Sequence, residues 1–161
     1  MFIRQAAAQD ISAGAFIYRE AKKYMKNAGN PSQWQDGGYP SETDIEADIA
    51  DGSSYVLEDG GEVVAVFHFH IGKDPIYEKL HGGKWQGSAP YGVIHRIAVK
   101  YHGKSLADFC FSECKKLSGS IRIDTHKDNL PMQRCLIKNG FSRRGTVYLE
   151  NGEERIAFEL I

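Results

Sequence analysis

Two apolar residues, Phe2 and Ile3, precede polar Arg4 and Gln5 at the start of the chain. Apolar residues then recur at Ile11, Ala15, Tyr18, Ala21 and Met25, close to one face of a helix. The pattern predicts a first strand over 2–5 and an amphipathic helix over 11–25, with Asp10 as its N-cap. A turn-rich loop over 29–40 carries Trp34 and Tyr39. Ser41-Glu42-Thr43-Asp44 then has the form of a capping box opening a short helix to about Ile49. Two β-rich runs, 54–58 and 63–71, flank Asp59-Gly60-Gly61 and read as an antiparallel hairpin. Residues 72–90 break the pattern and read as a polar insertion before a strand over 91–99.

Further along, a helix is expected over about 105–117 and a short strand over 120–124. Asp128 or Asn129 caps a following helix, with Pro131 in its first turn and Gly140 at the C′ position. Residues 141–149 and 155–161 close the chain as a hairpin around Asn151-Gly152, a type I′ turn signal. This order predicts an α/β (α+β) fold. The 161 residues match the size of one domain, 1–161, and contain no internal repeat.

Charge narrows the choice of partner. Twenty basic and twenty-one acidic side chains leave a net charge of −1, with no basic excess to mark a nucleic-acid binder. The longest apolar run, 63–67, ends at His68 and is far short of the ~20 residues a membrane helix needs. The start, Met1-Phe2-Ile3-Arg4-Gln5, lacks the basic-then-apolar order of a secretory signal. The odd set Cys110, Cys114 and Cys135 suits free thiols, so the expected location is the cytoplasm.

The densest chemistry lies in Ile94-His95-Arg96-Ile97-Ala98-Val99-Lys100-Tyr101-His102-Gly103-Lys104-Ser105-Leu106-Ala107. A β-branched strand runs into a basic, glycine-containing turn that opens a helix. Such a turn can hold a phosphate on unpaired backbone N–H groups at the positive helix end, although it also serves as a plain connection with solvated lysines. Gly103-Lys104-Ser105 matches the end of a P-loop, but the first glycine of that motif falls on Ala98, and no second acidic strand for magnesium is evident.

The strand, basic turn and helix are followed by Asp128-Asn129-Leu130-Pro131-Met132-Gln133-Arg134-Cys135-Leu136-Ile137-Lys138-Asn139-Gly140-Phe141. Together these segments resemble the GNAT superfamily of acyl-CoA-dependent N-acyltransferases, with its Arg/Gln-x-x-Gly-x-Gly/Ala loop and an Asn-led helix ending in Gly-Phe. The motif likeness runs from Tyr91 to Phe141, about a third of the chain, while the order of elements fits nearly all of it. The resemblance implies a mostly antiparallel mixed sheet splayed between strands 4 and 5, with helices on both faces. It also implies acetyl-CoA as cosubstrate, with its pantetheine arm in the gap, and no metal. Main-chain groups of Ile97, Ala98 and Val99 would meet the pantetheine. The turn with Lys100, Gly103, Lys104 and Ser105 would wrap the pyrophosphate, and Asn129 would touch the cofactor. The family pattern is departed from in two ways. Lys100 and Ser105 stand where Arg or Gln and Gly or Ala are usual. Leu136 stands seven residues after Asn129, where many members place the tyrosine that protonates the leaving thiolate.

Acyl transfer needs a neutral amine, and deprotonating an alkylammonium of pKa ~10.4 at pH 7 costs about 4–5 kcal/mol. By two-residue alternation His95 shares a strand face with Val93, Ile97 and Val99, and it is the candidate base; the competing role is a packed core histidine. A backbone N–H near Ile97 would hold the oxyanion. Trp34, Asp36 and Tyr39 are candidate walls for a cationic amine, and His126 is a candidate neighbour of the thioester. Arg96 is expected to pair with Asp124. His68 and His70 share a face, more simply a half-exposed polar face than a metal site. The expected function is acetyl transfer to a primary amine of a small molecule or peptide by direct attack. The alternative is a non-catalytic acyl-CoA sensor. The final hairpin is a candidate surface for a homodimer.

Overall fold

The computed structural model describes every residue except Asp36. Its strands are β1 (Phe2–Gln5), β2 (Ser54–Asp59), β3 (Glu62–Ile71), β4 (Gly92–Val99), β5 (Ile121–Thr125), β6 (Ser142–Tyr148) and β7 (Glu154–Leu160). The helices are α1 (Ile11–Asn27), α2 (Glu42–Asp51), α3 (Leu106–Ser118) and α4 (Leu130–Lys138). The strands make one sheet in the order β1-β2-β3-β4-β5-β7-β6. All neighbours are antiparallel except β4 and β5, which are parallel and paired only at Gly92 with Ile121 and Val93 with Arg122. Beyond that point the two strands part, so the sheet opens into two arms.

Helices cover both faces because the strands carry apolar side chains on both. Ala15, Ile17 and Tyr18 of α1 and Ile45 of α2 pack on Val56, Val66 and Ala98. Leu106, Cys110 and Cys114 of α3 and Leu136 of α4 pack on Phe67, Phe69, Ile94 and Ile97 from the other side. Each large side chain so buried contributes roughly 1.5–3 kcal/mol of transfer free energy.

Three local expectations are corrected. Asp10 does not cap α1 with its side chain. Its carboxylate instead takes Arg4 at 2.7 Å and the Ala7 N–H at 2.8 Å, tying β1 to the start of the helix. The last hairpin is not a two-residue type I′ turn, since Gly152 has φ +85° but Asn151 has no positive φ. Gly152 N–H bonds Leu149 and Leu149 N–H bonds Glu153, the wider loop in which only the glycine is left-handed.

The third correction concerns 72–90, which is a packed strap. Arg122 of β5 lies between the rings of Trp85 and Tyr91, 4.3 and 3.7 Å from their centroids, and donates to the Gly87 carbonyl at 2.8 Å. Buried Glu159 of β7 accepts from Arg122, Arg144 and the N–H groups of Gln86 and Gly87. A buried carboxylate is tolerable only when matched by such donors. The strap also crosses β6 so closely that a Cβ on Gly83 would sit 1.8 Å from the Arg144 carbonyl oxygen. Its inner residue, Tyr77, is fully buried and packs with Tyr91, Val93, Val147 and Ala157. The strap thereby fixes Asp74, Ile76 and Tyr77 over the place where the two arms separate.

Candidate active site

Where β4 and β5 part there is a cavity of about 610 Å³. Ile94, Ile97 and Val99 line it from β4, Ile123 from β5, and Ala107 and Met132 from α3 and α4. Lys100 N–H bonds the Val64 carbonyl on β3. By the alternation of a β ladder, the N–H and C=O groups of Val99 and Ile97 point the other way, into the gap that β5 leaves. An extended polar chain can pair there as a strand would. Among the described residues, two buried side-chain polar atoms lack a partner, Arg96 Nε and Thr125 Oγ1, and both residues line this cavity. Buried polar groups are seldom left so in a site that holds nothing.

One end of the cavity is the turn from Lys100 to Ser105. Gly103 has φ +74° with open space around it, and Ser105, at φ +55°, directly precedes α3. The N–H groups of the first helical turn there have no intrahelical acceptor. Lys100 is tied to Glu62, which also accepts from Tyr101 at 2.9 Å, and the ring of His102 stacks on Tyr24 at 3.7 Å. These contacts pin the turn to β3 and α1, and exposed Lys104 is left beside the helix start.

The other end is a relay of imidazoles and carboxylates. His95 Nε2 is 2.9 Å from Asp74 Oδ2, and His95 Nδ1 is 3.9 Å from Asp124 Oδ2. Tyr77 donates to Asp124 at 2.7 Å. On the adjoining strand His68 Nε2 lies 2.9 Å from His70 Nδ1, while His68 Nδ1 is 3.2 Å from Asp48 and His70 Nε2 is 3.8 Å from Asp74. Burial alone would raise the Asp74 carboxyl, but the His95 hydrogen bond and charge and the Ile76 N–H outweigh it and hold the group below the usual range. Asp124 goes the other way. Burial pushes it up against the opposing pull of His95, Tyr77 and Arg155. Burial, and then the charge of His68, lower the affinity of His70 for a proton.

The arrangement depends on a bulge. Val66 pairs with Ala98 and His68 with His95, so Phe67 alone faces both Arg96 and Ile97. Arg96 takes φ +54° there, a conformation costing about 1–3 kcal/mol. Its guanidinium bonds Asp48 and the Tyr39 hydroxyl, the latter at 3.0 Å. The bulge corrects the simple alternation: His95 keeps the face of Val93, whereas Ile97 and Val99 turn to the α3 side. It also corrects the expected Arg96–Asp124 pair, because Arg96 is directed to α2.

No protein-family model and no curated protein sequence matches the chain. Solved structures do. A GNAT-family acetyltransferase from Streptococcus agalactiae is 30% identical, with a TM-score of 0.90 over 99% of this chain and 94% of that one. The chain belongs to the GNAT family of acetyltransferases. The same fold is found in a GNAT-family acetyltransferase from Listeria monocytogenes at 22% identity and TM-score 0.71, covering 99% of this chain and 93% of that one. It recurs in yncA of Salmonella typhimurium, solved with its cofactor acetyl-CoA, at 18% identity and TM-score 0.65, covering 99% and 92%.

In this GNAT chain the cavity gathers Trp34, Tyr39, His95, Ile97, Ala98, Val99, Gly103 and Asn129. Trp34 stands edge-on to Tyr18 at 5.7 Å. Asp36 lies outside the described residues. Asn129 caps α4 by accepting Met132 N–H at 3.1 Å and donates to Gln33 at 3.0 Å, so its amide is engaged within the protein. That link fastens the loop after α1 to the β5 arm. His126 lines a small recess that shares Ser32, Glu153 and Arg155 with the cavity, and its Nδ1 accepts the Asp128 N–H at 3.0 Å. Leu136 is fully buried in the core, away from the cavity. Burial pushes the Cys135 thiol up to about 11, which removes it as a ready thiolate. Sequence reasoning missed Asp48, Asp74, Tyr77 and the true partners of Asp124. The only sequence signal for Asp74 is its place before Pro75, which reads as an ordinary turn. Among the described residues no group of three or more ligand side chains is placed to hold a metal ion.

Proposed function

We propose that this protein transfers an acetyl group from acetyl-CoA to a primary amine of a small molecule or peptide. The observation that carries the reading is the cavity itself, which joins a helix-opening turn suited to a pyrophosphate with a histidine–carboxylate cluster suited to an amine. The pantetheine fits between the arms against the main chain of Ile97 and Val99, and the pyrophosphate fits the turn at Gly103 and the start of α3.

Asp74 fixes His95 with the proton on Nε2, leaving the Nδ1 lone pair toward the cavity. His95 takes a proton from the bound ammonium, and Asp74 stabilises the imidazolium that forms. The freed amine attacks the thioester carbon, forming a C–N bond. The Ile97 N–H holds the resulting oxyanion until the C–S bond breaks and the thiolate leaves. With Leu136 in the core, the second proton of the attacking nitrogen passes to the thiolate through another group or water, giving the amide and the CoA thiol, and the imidazolium returns its own proton to solvent.

Acetyl-CoA should stabilise the protein against heat, as any ligand of the folded state alone must. CoA release with a panel of amines then separates the enzyme from a non-catalytic acyl-CoA sensor, which is stabilised by acetyl-CoA but releases CoA with no amine.

A further inference from the structure

The site leaves one carboxylate without a task. Asp124, at the end of β5, faces His95 of β4 across the opening and is only 11% exposed. At 3.9 Å the two are too far apart for a hydrogen bond, yet close enough for one nitrogen between them to donate to both. Each of the other nearby charges is matched. Asp48 has Arg96 and His68, Asp74 has His95 and His70, and Glu153 has Arg155. Asp124 receives only the neutral Tyr77 hydroxyl, from a strap that Arg122 and Glu159 lock in place.

Resting on the acetyl-transfer reading, we propose that Asp124 is a catalytic residue that binds the acceptor as an alkylammonium ion and holds its nitrogen against His95. The ammonium donates one N–H to Asp124 Oδ2 and gives another proton to His95 Nδ1. The products of that step are a neutral amine still bonded to Asp124 and an imidazolium bonded through Nε2 to Asp74. The site then favours amines that are cations at neutral pH over aromatic amines, which reach it uncharged and gain nothing from the carboxylate.

The test is Asp124→Asn, which keeps shape and the Tyr77 contact and removes the charge. Its kcat/KM for the best alkylamine of a panel should fall roughly 10²–10³-fold, the cost of losing one partner of a desolvated charge pair. The fall for an aniline-type amine should be at least tenfold smaller, and stabilisation by acetyl-CoA should persist. An alkylamine kcat/KM within threefold of wild type, or equal losses for both amine types, overturns the assignment. A wild-type protein that acetyl-CoA fails to stabilise overturns the acetyl-transfer reading first, so the two failures are distinct.

If Asp124→Asn does not fold, Tyr77→Phe tests the same point. The groups facing Asp124 are His95 from β4, Tyr77 and Asp74 from the strap and Arg155 from β7, and the Tyr77 hydrogen bond lowers the carboxyl. Its loss should move the acidic limb of kcat/KM to higher pH. An unmoved limb counts against Asp124.

Discussion

The two ends of the cavity are built in opposite ways. The turn at Lys100–Ser105 is one contiguous stretch, a strand end, a left-handed glycine and a helix start, and its binding groups are mostly backbone. The opposite end, proposed to take the acceptor, draws Trp34 and Tyr39 from a loop, His95 and Arg96 from β4 and Asp124 from β5, backed by His68 and His70 of β3 and by Asp74 and Tyr77 of the strap. A site made of local backbone can be read from spacing. A site made of side chains from five segments exists only once the sheet, the bulge and the strap are in place.

The sharpest way to break this contrast is His95→Gln, which retains size and hydrogen bonding but cannot titrate. kcat should fall by roughly 10²–10⁴, the usual worth of general acid–base catalysis, while acetyl-CoA still raises the melting temperature. Full activity with an unchanged pH profile would make His95 a packing residue.

Next comes the opposite end. Gly103→Asp puts a negative charge in open space beside the α3 start, at a φ of +74° that a side chain adopts only with strain. It should remove the stabilisation by acetyl-CoA, which at 100 times Kd is about 2.7 kcal/mol. An intact shift in a folded variant would place the pyrophosphate elsewhere.

Asn129→Ala sharpens the comparison from a third side, because the Asn129 amide joins the α4 cap to Gln33. Urea unfolding should show a loss of about 1–2 kcal/mol, as for other N-caps, with the KM for acetyl-CoA within about threefold. A much larger rise in that KM without loss of stability would make Asn129 a direct cofactor contact.

The smallest effect is in pH. Burial depresses the proton affinity of folded His70 below that of the unfolded chain. The unfolded state therefore gains protons first as pH falls below about 6.5, so this contribution to stability is full above that value and declines below it. Between pH 7 and 5 the wild-type melting temperature should drop further than that of His70→Gln, and an equal drop in the two proteins would remove His70 as the cause.

Much of the fold was legible because its causes are local. The period of α1, the Ser41–Asp44 bond that opens α2, and the Asn129 cap with Pro131 behind it each appear in the structure within two residues of the expected place. The GNAT-like run from Tyr91 to Phe141 was legible for the same reason, since strand, turn and helix follow in order. The strap was not. Its polar sequence is indistinguishable from a solvated loop until Arg122 and Glu159, thirty-seven positions apart, meet beneath it.

The sequence by itself determined the order of elements, the glycine turn that opens α3, and the presence of histidine on the central strand. Tertiary structure decided which way that histidine faces. A single extra residue at Arg96 turns Ile97 and Val99 to the α3 side and leaves His95 with His68 and His70, because Asp48 and Tyr39 hold the strained backbone there. Tertiary structure also brought Asp74 and Asp124 to the two nitrogens of His95, and no spacing along the chain encodes a distance across an open sheet.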